Sequence, residues 1–277
     1  MSILAAIVLG VIQGLTEFLP VSSSGHLVLF QKIFGIEEPA LLFDIMLHVG
    51  TLVAVFAVLW KDVWAILRRI FQPLTAYLII ATIPTVIFAL VFRNPLEKLF
   101  ETGQFLGVCF LITAALLAAA ELLSMRAAAA SGGIAGGGLK KTGEMNWPDA
   151  LVIGIMQAIA IVPGVSRSGA TLSGALSRRL NRDFAARFSF LLSIPAILGA
   201  AVFQLKDVVK GGETAAGDGI GIAAMIAGTV SAAIVGFFAV RLMLKIVREK
   251  SLWGFAIYTG ILGILVLVDQ FGTHFVF

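Results

Sequence analysis

Charge is what this sequence has least of. Only 13% of its 277 residues are Asp, Glu, Lys or Arg, where a soluble domain has about 25%, and 59% are hydrophobic. No water-soluble fold has interior enough for that much apolar surface, so the solvent is lipid. Cysteine is almost absent too. Cys109 is the single one and lies inside an apolar run, which excludes an intrachain disulfide and argues against thiolate metal chemistry. The first apolar run has no basic residue ahead of it and contains Glu17. It therefore reads as part of the mature fold rather than as a cleaved signal. The formal charge of +4 does not point to nucleic acid, because the basic residues fall between long apolar runs and read as loop anchors.

The expected fold is an all-α polytopic membrane protein. Stretches of about 20 apolar residues span a bilayer, and six are present: 41–60, 76–93, 104–124, 187–205, 219–241 and 252–270. Two other apolar regions, 3–34 and 148–180, are broken in the middle by "PVSSSG" (20–25) and "PGVSRSG" (163–169). These regions align without a gap at an offset of 144: Gly10 on Gly154, Gln13 on Gln157, Ser22 on Ser166, Ser24 on Ser168, Gly25 on Gly169.

The chain therefore reads as one membrane domain, 1–277, built from two copies of one unit. Repeat 1 covers 1–126, a linker 127–146 begins with "AAAASGGIAGGG", and repeat 2 covers 147–277. Each half of a broken region is too short to cross a hydrocarbon core of about 30 Å. Each region is thus expected to form a re-entrant hairpin, with its tip buried in protein or lining a cavity. One hairpin plus three crossings per repeat makes the second repeat inverted, and the two tips meet near the midplane.

Fourteen of the 20 Lys and Arg residues fall on one side, Lys61, Arg68, Arg126, Lys141 and Arg241 among them. Five fall on the other: Lys32, Arg93, Lys98, Lys206 and Lys210. The positive-inside rule makes the first side cytoplasmic and puts both termini outside.

A charge at the centre of a bilayer costs about 2.5–3.5 kcal/mol on insertion scales, so Glu17 in one broken region and Arg167 in the tip of the other point to a polar site. After each tip the chain restarts a helix, whose first N–H groups lack intrahelical partners and can bind phosphate. Ser22, Ser24, Ser166 and Ser168 supply hydroxyls there, Gly25 and Gly169 allow close backbone approach, and Arg167 adds a planar cationic fork. Gln13 and Glu17 share a helix face, so Glu17 can hold a divalent cation with Gln13 as neutral second ligand. Ser23 or His26 can attack phosphorus, and His26 can instead serve as general acid or base. Asp44 and His48, four apart, either face the cavity or pair with each other, and the local polar pair is the favoured reading.

The segments "QGLTEFLPVSSSGH" (13–26) and "PGVSRSGAT" (163–171) closely resemble the two signatures of the undecaprenyl-diphosphate phosphatase family, also called bacitracin-resistance proteins. The resemblance extends over the whole chain in length, motif order and hydropathy. It implies hydrolysis of undecaprenyl diphosphate to undecaprenyl phosphate and phosphate, recycling of the lipid carrier for cell-wall synthesis, and bacitracin resistance. It also implies Mg2+ or Ca2+ dependence, a bacterial inner-membrane location, a site open to the extracytoplasmic side and a homodimer. Carried over by motif, Glu17, Ser23 and His26 fall on functional positions of the first signature, and Ser166, Arg167 and Thr171 on those of the second. The first position of the glutamate-rich motif is Glu or Gln in the family. Here it is Gln13, which leaves Glu17 as the main anionic ligand. The alternative from another class is a polyprenyl-phosphate transporter or flippase, which needs an anion cradle but not Glu17 and His26 together.

Overall fold

The structure, a computed structural model, describes residues 1–36, 41–92, 105–130, 139–140, 142–210 and 220–276. These residues are helical apart from their connections, and one isolated bridge joins Lys140 to Leu180. The first broken region forms α1 (Ile3–Thr16) and α2 (Ser23–Ile33). It is followed by α3 (Leu41–Val58), α4 (Trp60–Arg68), α5 (Pro73–Val91) and α6 (Leu106–Ala130). The second forms α7 (Trp147–Ile159) and α8 (Arg167–Ser177), followed by α9 (Arg182–Lys210), α10 (Ile222–Glu249) and α11 (Trp253–Val268).

Helices α5, α6, α9, α10 and α11 are long and apolar enough to cross a membrane, and α3 makes a sixth span if joined to α4. The chain is thus a multi-pass membrane protein. The span expected at 41–60 ends sooner: Leu42–Val58 and Trp60–Arg68 meet at 81°. Helix α4 buries Val63 and exposes Trp60, Trp64 and Leu67, so it has the form of a helix lying in the membrane interface. The stretch expected to start the linker is instead helical as far as Ala130, because alanine is the strongest helix former. Residues 131–138 and 141 of that linker lie outside the described residues, as do Arg93 and Lys98.

The helix starts follow from local chemistry. Ser2 caps α1 by accepting from the Ala5 N–H at 3.1 Å. Asn146 and Asp149 form a reciprocal capping box at the start of α7. Helix α1 runs parallel to α10 at close range: a Cβ on Gly10 would meet the Gly228 carbonyl, and one on Gly14 would meet Ala232 and Gly236. The last turn of α1 therefore stops about halfway along α10. Helix α7 runs along α5 in the same sense, with Gly154 against Ala81 and Gln157 donating to Thr85 at 3.0 Å. The main core cluster, with Phe18, Leu117, Leu172, Phe188, Phe190 and Met243, closes around both tips.

Basic residues converge at one end of the bundle. Arg182 donates to Glu121 at 2.9 Å and to the carbonyls of Val247 and Lys250. Arg187 bridges Asp62 and Asp183. Lys140 and Arg178 both hold Asp149, which is fully buried, at 2.7 and 2.8 Å.

Candidate active site

The two tips touch. Ser24 Oγ accepts the Gly164 N–H at 3.2 Å, and Ser168 Oγ donates to the Leu19 carbonyl at 3.0 Å. Glu17 and Arg167 complete the junction with an ion pair of 3.0 Å, Oε1 to Nη2. The two sequence signatures, 144 residues apart, are thus one structural unit.

Glu17 is 5% exposed, which makes its partners decisive. Its Oε1 takes Arg167. Its Oε2 accepts Ser23 Oγ at 2.6 Å and Gln13 Nε2 at 3.0 Å. Gln13 turns its amide nitrogen to the carboxylate, which leaves its Oε1 buried and with no hydrogen bond. Arg167 also donates from Nη1 to the Ser189 carbonyl at 3.4 Å.

Ser22 and Ser166 cap α2 and α8, accepting the N–H groups of Gly25 and Gly169 at 3.2 and 3.1 Å. Those two N–H groups are therefore engaged. Gly25 lacks a side chain because Phe110 fills the space, 2.6 Å from where a Cβ would stand. Ser22 holds φ at +73°, the left-handed region that a non-glycine residue enters at a cost, as happens at functional sites. Thr171 bonds Ser189 through their hydroxyls and also reaches the Arg167 carbonyl at 2.9 Å. It buttresses the start of α8 from behind.

His26 turns both ring nitrogens to partners other than Glu17. Its Nδ1 lies 2.7 Å from the Ser22 carbonyl, an acceptor only, so Nδ1 carries the proton. Nε2 then accepts from the Tyr258 hydroxyl at 2.7 Å, with the two rings stacked at 5.8 Å. His26 is thus held in one tautomer with its free lone pair engaged, whereas Ser23 directs its hydroxyl proton at a carboxylate.

Four participants were not legible in the motifs. His48 reaches the site instead of forming a purely local pair: its Nε2 stands 3.8 Å from Glu17 Oε2, while Asp44 turns its carboxylate to Gln31. Tyr258 holds His26. Thr113 accepts the Ser166 N–H at 3.0 Å, and Ser189 touches Arg167 and Thr171. All four sit on spanning helices, and no local sequence signal aims them at the tips.

Among the described residues, no three His, Cys, Asp or Glu side chains come together as a metal site. Oxygen donors do converge: the Glu17 carboxylate, the Ser23 hydroxyl and the unpartnered Gln13 Oε1. Such a set suits a hard divalent cation, which binds through one or two carboxylates and takes its other ligands from water and substrate phosphate.

A buried carboxylate–guanidinium pair at the junction of two hairpin tips, inside a multi-pass helical bundle, marks an integral membrane protein with polar groups gathered in its interior. The chain belongs to the family described as bacitracin resistance protein BacA, whose model matches residues 6–265. It is 46% identical over 265 residues to an undecaprenyl-diphosphatase of Carboxydothermus hydrogenoformans, covering 96% of each chain. Undecaprenyl-diphosphatase 4 of Bacillus thuringiensis subsp. konkukian is 43% identical over 98% of each chain. An undecaprenyl-diphosphatase of Methanosphaera stadtmanae is 38% identical over 97% of this chain.

Proposed function

We infer that this protein is an undecaprenyl-diphosphate phosphatase, an enzyme that releases inorganic phosphate and leaves undecaprenyl phosphate in the membrane. The names of its relatives over nearly the full chain carry the activity. The observation that carries the site is the 2.6 Å bond from Ser23 Oγ to a carboxylate that is itself paired with Arg167.

Ser23 is the nucleophile in this reading. Its oxygen forms a bond to the terminal phosphorus while its proton passes to Glu17, and the anhydride P–O bond breaks to release undecaprenyl phosphate. Water then attacks the phosphorus of the phosphoseryl group, the Ser23 Oγ–P bond breaks, Oγ takes back the proton held by Glu17, and the water leaves with its protons as part of the released phosphate. Arg167 and the unpaired N–H groups at the starts of α2 and α8 neutralise charge on the phosphate oxygens. Glu17 and Gln13 Oε1 would hold a divalent cation, which when bound supplies further neutralisation. His26, locked by Ser22 and Tyr258, shapes the wall of the site. A transporter would need the same anion cradle but would leave the Ser23–Glu17 bond without a purpose.

The chain is built as two inverted repeats in this reading, and three facts support it. The alignment at offset 144 pairs α1 with α7 and α2 with α8. The pairing of α1 with α10 has its counterpart in that of α7 with α5. The α6–α11 and α3–α9 contacts each map onto themselves when the repeats are exchanged. The end that gathers Arg182, Arg187, Lys140 and Arg178 faces the cytoplasm by the positive-inside rule. The first hairpin then opens outward, with the site reached from the extracytoplasmic side.

The test is phosphate release from a long-chain polyprenyl diphosphate by purified protein in detergent, with Mg2+, Ca2+ or chelator. Cation-dependent release that Ser23→Ala, Glu17→Gln and Arg167→Ala each abolish is the expected result. Full release by Ser23→Ala would remove Ser23 as nucleophile. No release by folded wild-type protein under any cation would sink the whole reading.

A further inference from the structure

The position of His48 is unexplained by the reaction as written. It sits on α3, a helix that belongs to neither hairpin, yet its ring edge faces the carboxylate on which the site is built. Its Nδ1 lies 2.7 Å from the Asp44 carbonyl. A carbonyl only accepts, so Nδ1 carries a proton, and in the neutral ring Nε2 presents a bare lone pair. That lone pair stands 3.8 Å from Glu17 Oε2.

In the protonated ring this contact is a long ion pair; in the neutral ring two lone-pair donors face each other with no proton between them. Nor is there room for a bridging water, which needs its two partners about 4.5 Å or more apart at ordinary hydrogen-bond lengths. A metal ion fits the gap. Ligand atoms about 2.1 Å from one ion stand roughly 3–4.2 Å from each other, according to the angle between them. Third, a histidine that donates its other ring N–H to a backbone carbonyl has the second-shell partner typical of metal-bound imidazole. Fourth, the Gln13 amide, whose nitrogen is bonded to the same Oε2, holds a buried oxygen with no partner.

We propose that His48 Nε2 is a protein ligand of the divalent cation, completing with Glu17 Oε2 and Gln13 Oε1 a one-nitrogen, two-oxygen set. The proposal rests on the reading that Glu17 holds a cation. Its ring is 31% exposed, so the set is not sealed and leaves positions for water and phosphate oxygens. Replacing one hard oxygen by imidazole moves the preference of the site toward Mn2+ and later divalent ions relative to Mg2+ and Ca2+. The site has a single carboxylate, with Gln13 at the position where a second would stand, and a ligand from α3 makes up the set.

Mn2+ reports its own ligands, so the test needs no turnover. Purified full-length protein is loaded with one equivalent of Mn2+ and examined by pulsed electron paramagnetic resonance for nitrogen couplings, with histidine labelled as 14N or 15N. The chain has three histidines, His26, His48 and His274. Coupling that follows the label, persists in a His26→Gln/His274→Gln double variant and disappears in His48→Gln is the expected result. Mn2+ affinity should fall about tenfold or more in His48→Gln. The double variant assigns the signal without touching His48, so a poorly folded His48→Gln leaves the test standing. Bound Mn2+ with no histidine coupling, or coupling lost in the double variant, overturns the proposal and leaves the cation at Glu17 intact. No bound Mn2+ in wild-type protein overturns the cation reading itself.

Discussion

Gly10 and Gly154 meet their neighbours in the same way. A Cβ at either would fall 2.3 Å from a backbone carbonyl oxygen, that of Gly228 on α10 for the first and that of Ala81 on α5 for the second. Both contacts are backbone to backbone, so no rotamer change can relieve them. Gly10→Ala and Gly154→Ala should each destabilise by about 1–3 kcal/mol, the usual cost of overpacking. Gly254→Ala, which meets open space, should leave stability unchanged or slightly raised. Thermal unfolding in detergent, followed by loss of the monodisperse peak, separates the three.

Tyr258→Phe removes the hydroxyl from His26 Nε2 and leaves the ring stack. The lost hydrogen bond should cost about 1 kcal/mol. The freed lone pair should also make His26 more reactive toward diethyl pyrocarbonate, read as the rate of mass increase on the peptide containing His26. An unchanged rate would mean that the Tyr258 contact does not persist in solution.

Arg167→Lys keeps the charge but loses the planar fork that reaches both Glu17 and Ser189. Phosphate release should fall about 100-fold or more, the scale of losing one preorganised anion-stabilising group. Arg167→Ala should also lower stability by about 3–5 kcal/mol, because it leaves Glu17 buried without its partner. Glu17→Gln/Arg167→Ala should recover part of that stability and none of the activity.

Asp149 ties the start of α7 to Lys140 and Arg178. Burial alone pushes its carboxyl upward, but the bonds from Lys140 and Arg178 outweigh this and hold it below the usual Asp value. A carboxylate lowered in the folded state adds stability that is complete above its unfolded pKa and lost as pH falls through the folded one. The wild-type protein should therefore lose melting temperature on going from neutral pH to below pH 4, and Asp149→Asn should flatten that part of the profile.

The sequence showed much of this site because its two halves repeat. Ser22 with Ser166 and Gly10 with Gly154 could be matched before any coordinates, and the breaks marked both tips. Tyr258 stayed hidden, and His48 was read as a partner of Asp44 rather than of Glu17, for a physical reason. Each lies on an apolar spanning helix, where lipid-facing and protein-facing residues are equally hydrophobic, so periodicity does not say which side is inward. The bend at Leu59 escaped for a related reason, since the apolar run continues through it into Trp60. Four alanines after Arg126 resembled a linker by composition, but their helix propensity let α6 continue through them.

The tip-to-tip junction divides the site unequally between the halves of the chain. Glu17, Ser23 and His26 come from the first hairpin, and Arg167 comes from the second. In the proposed reaction, an N-terminal fragment ending near Ala130 would carry the nucleophile with nothing to neutralise its target, and a C-terminal fragment would carry the anion receptor without chemistry. Expressed singly, both fragments should be inert, while co-expression should restore turnover through Ser24, Gly164, Ser168 and Leu19. In the proposed reaction, activity is therefore a property of the seam between the two hairpins rather than of either half of the chain.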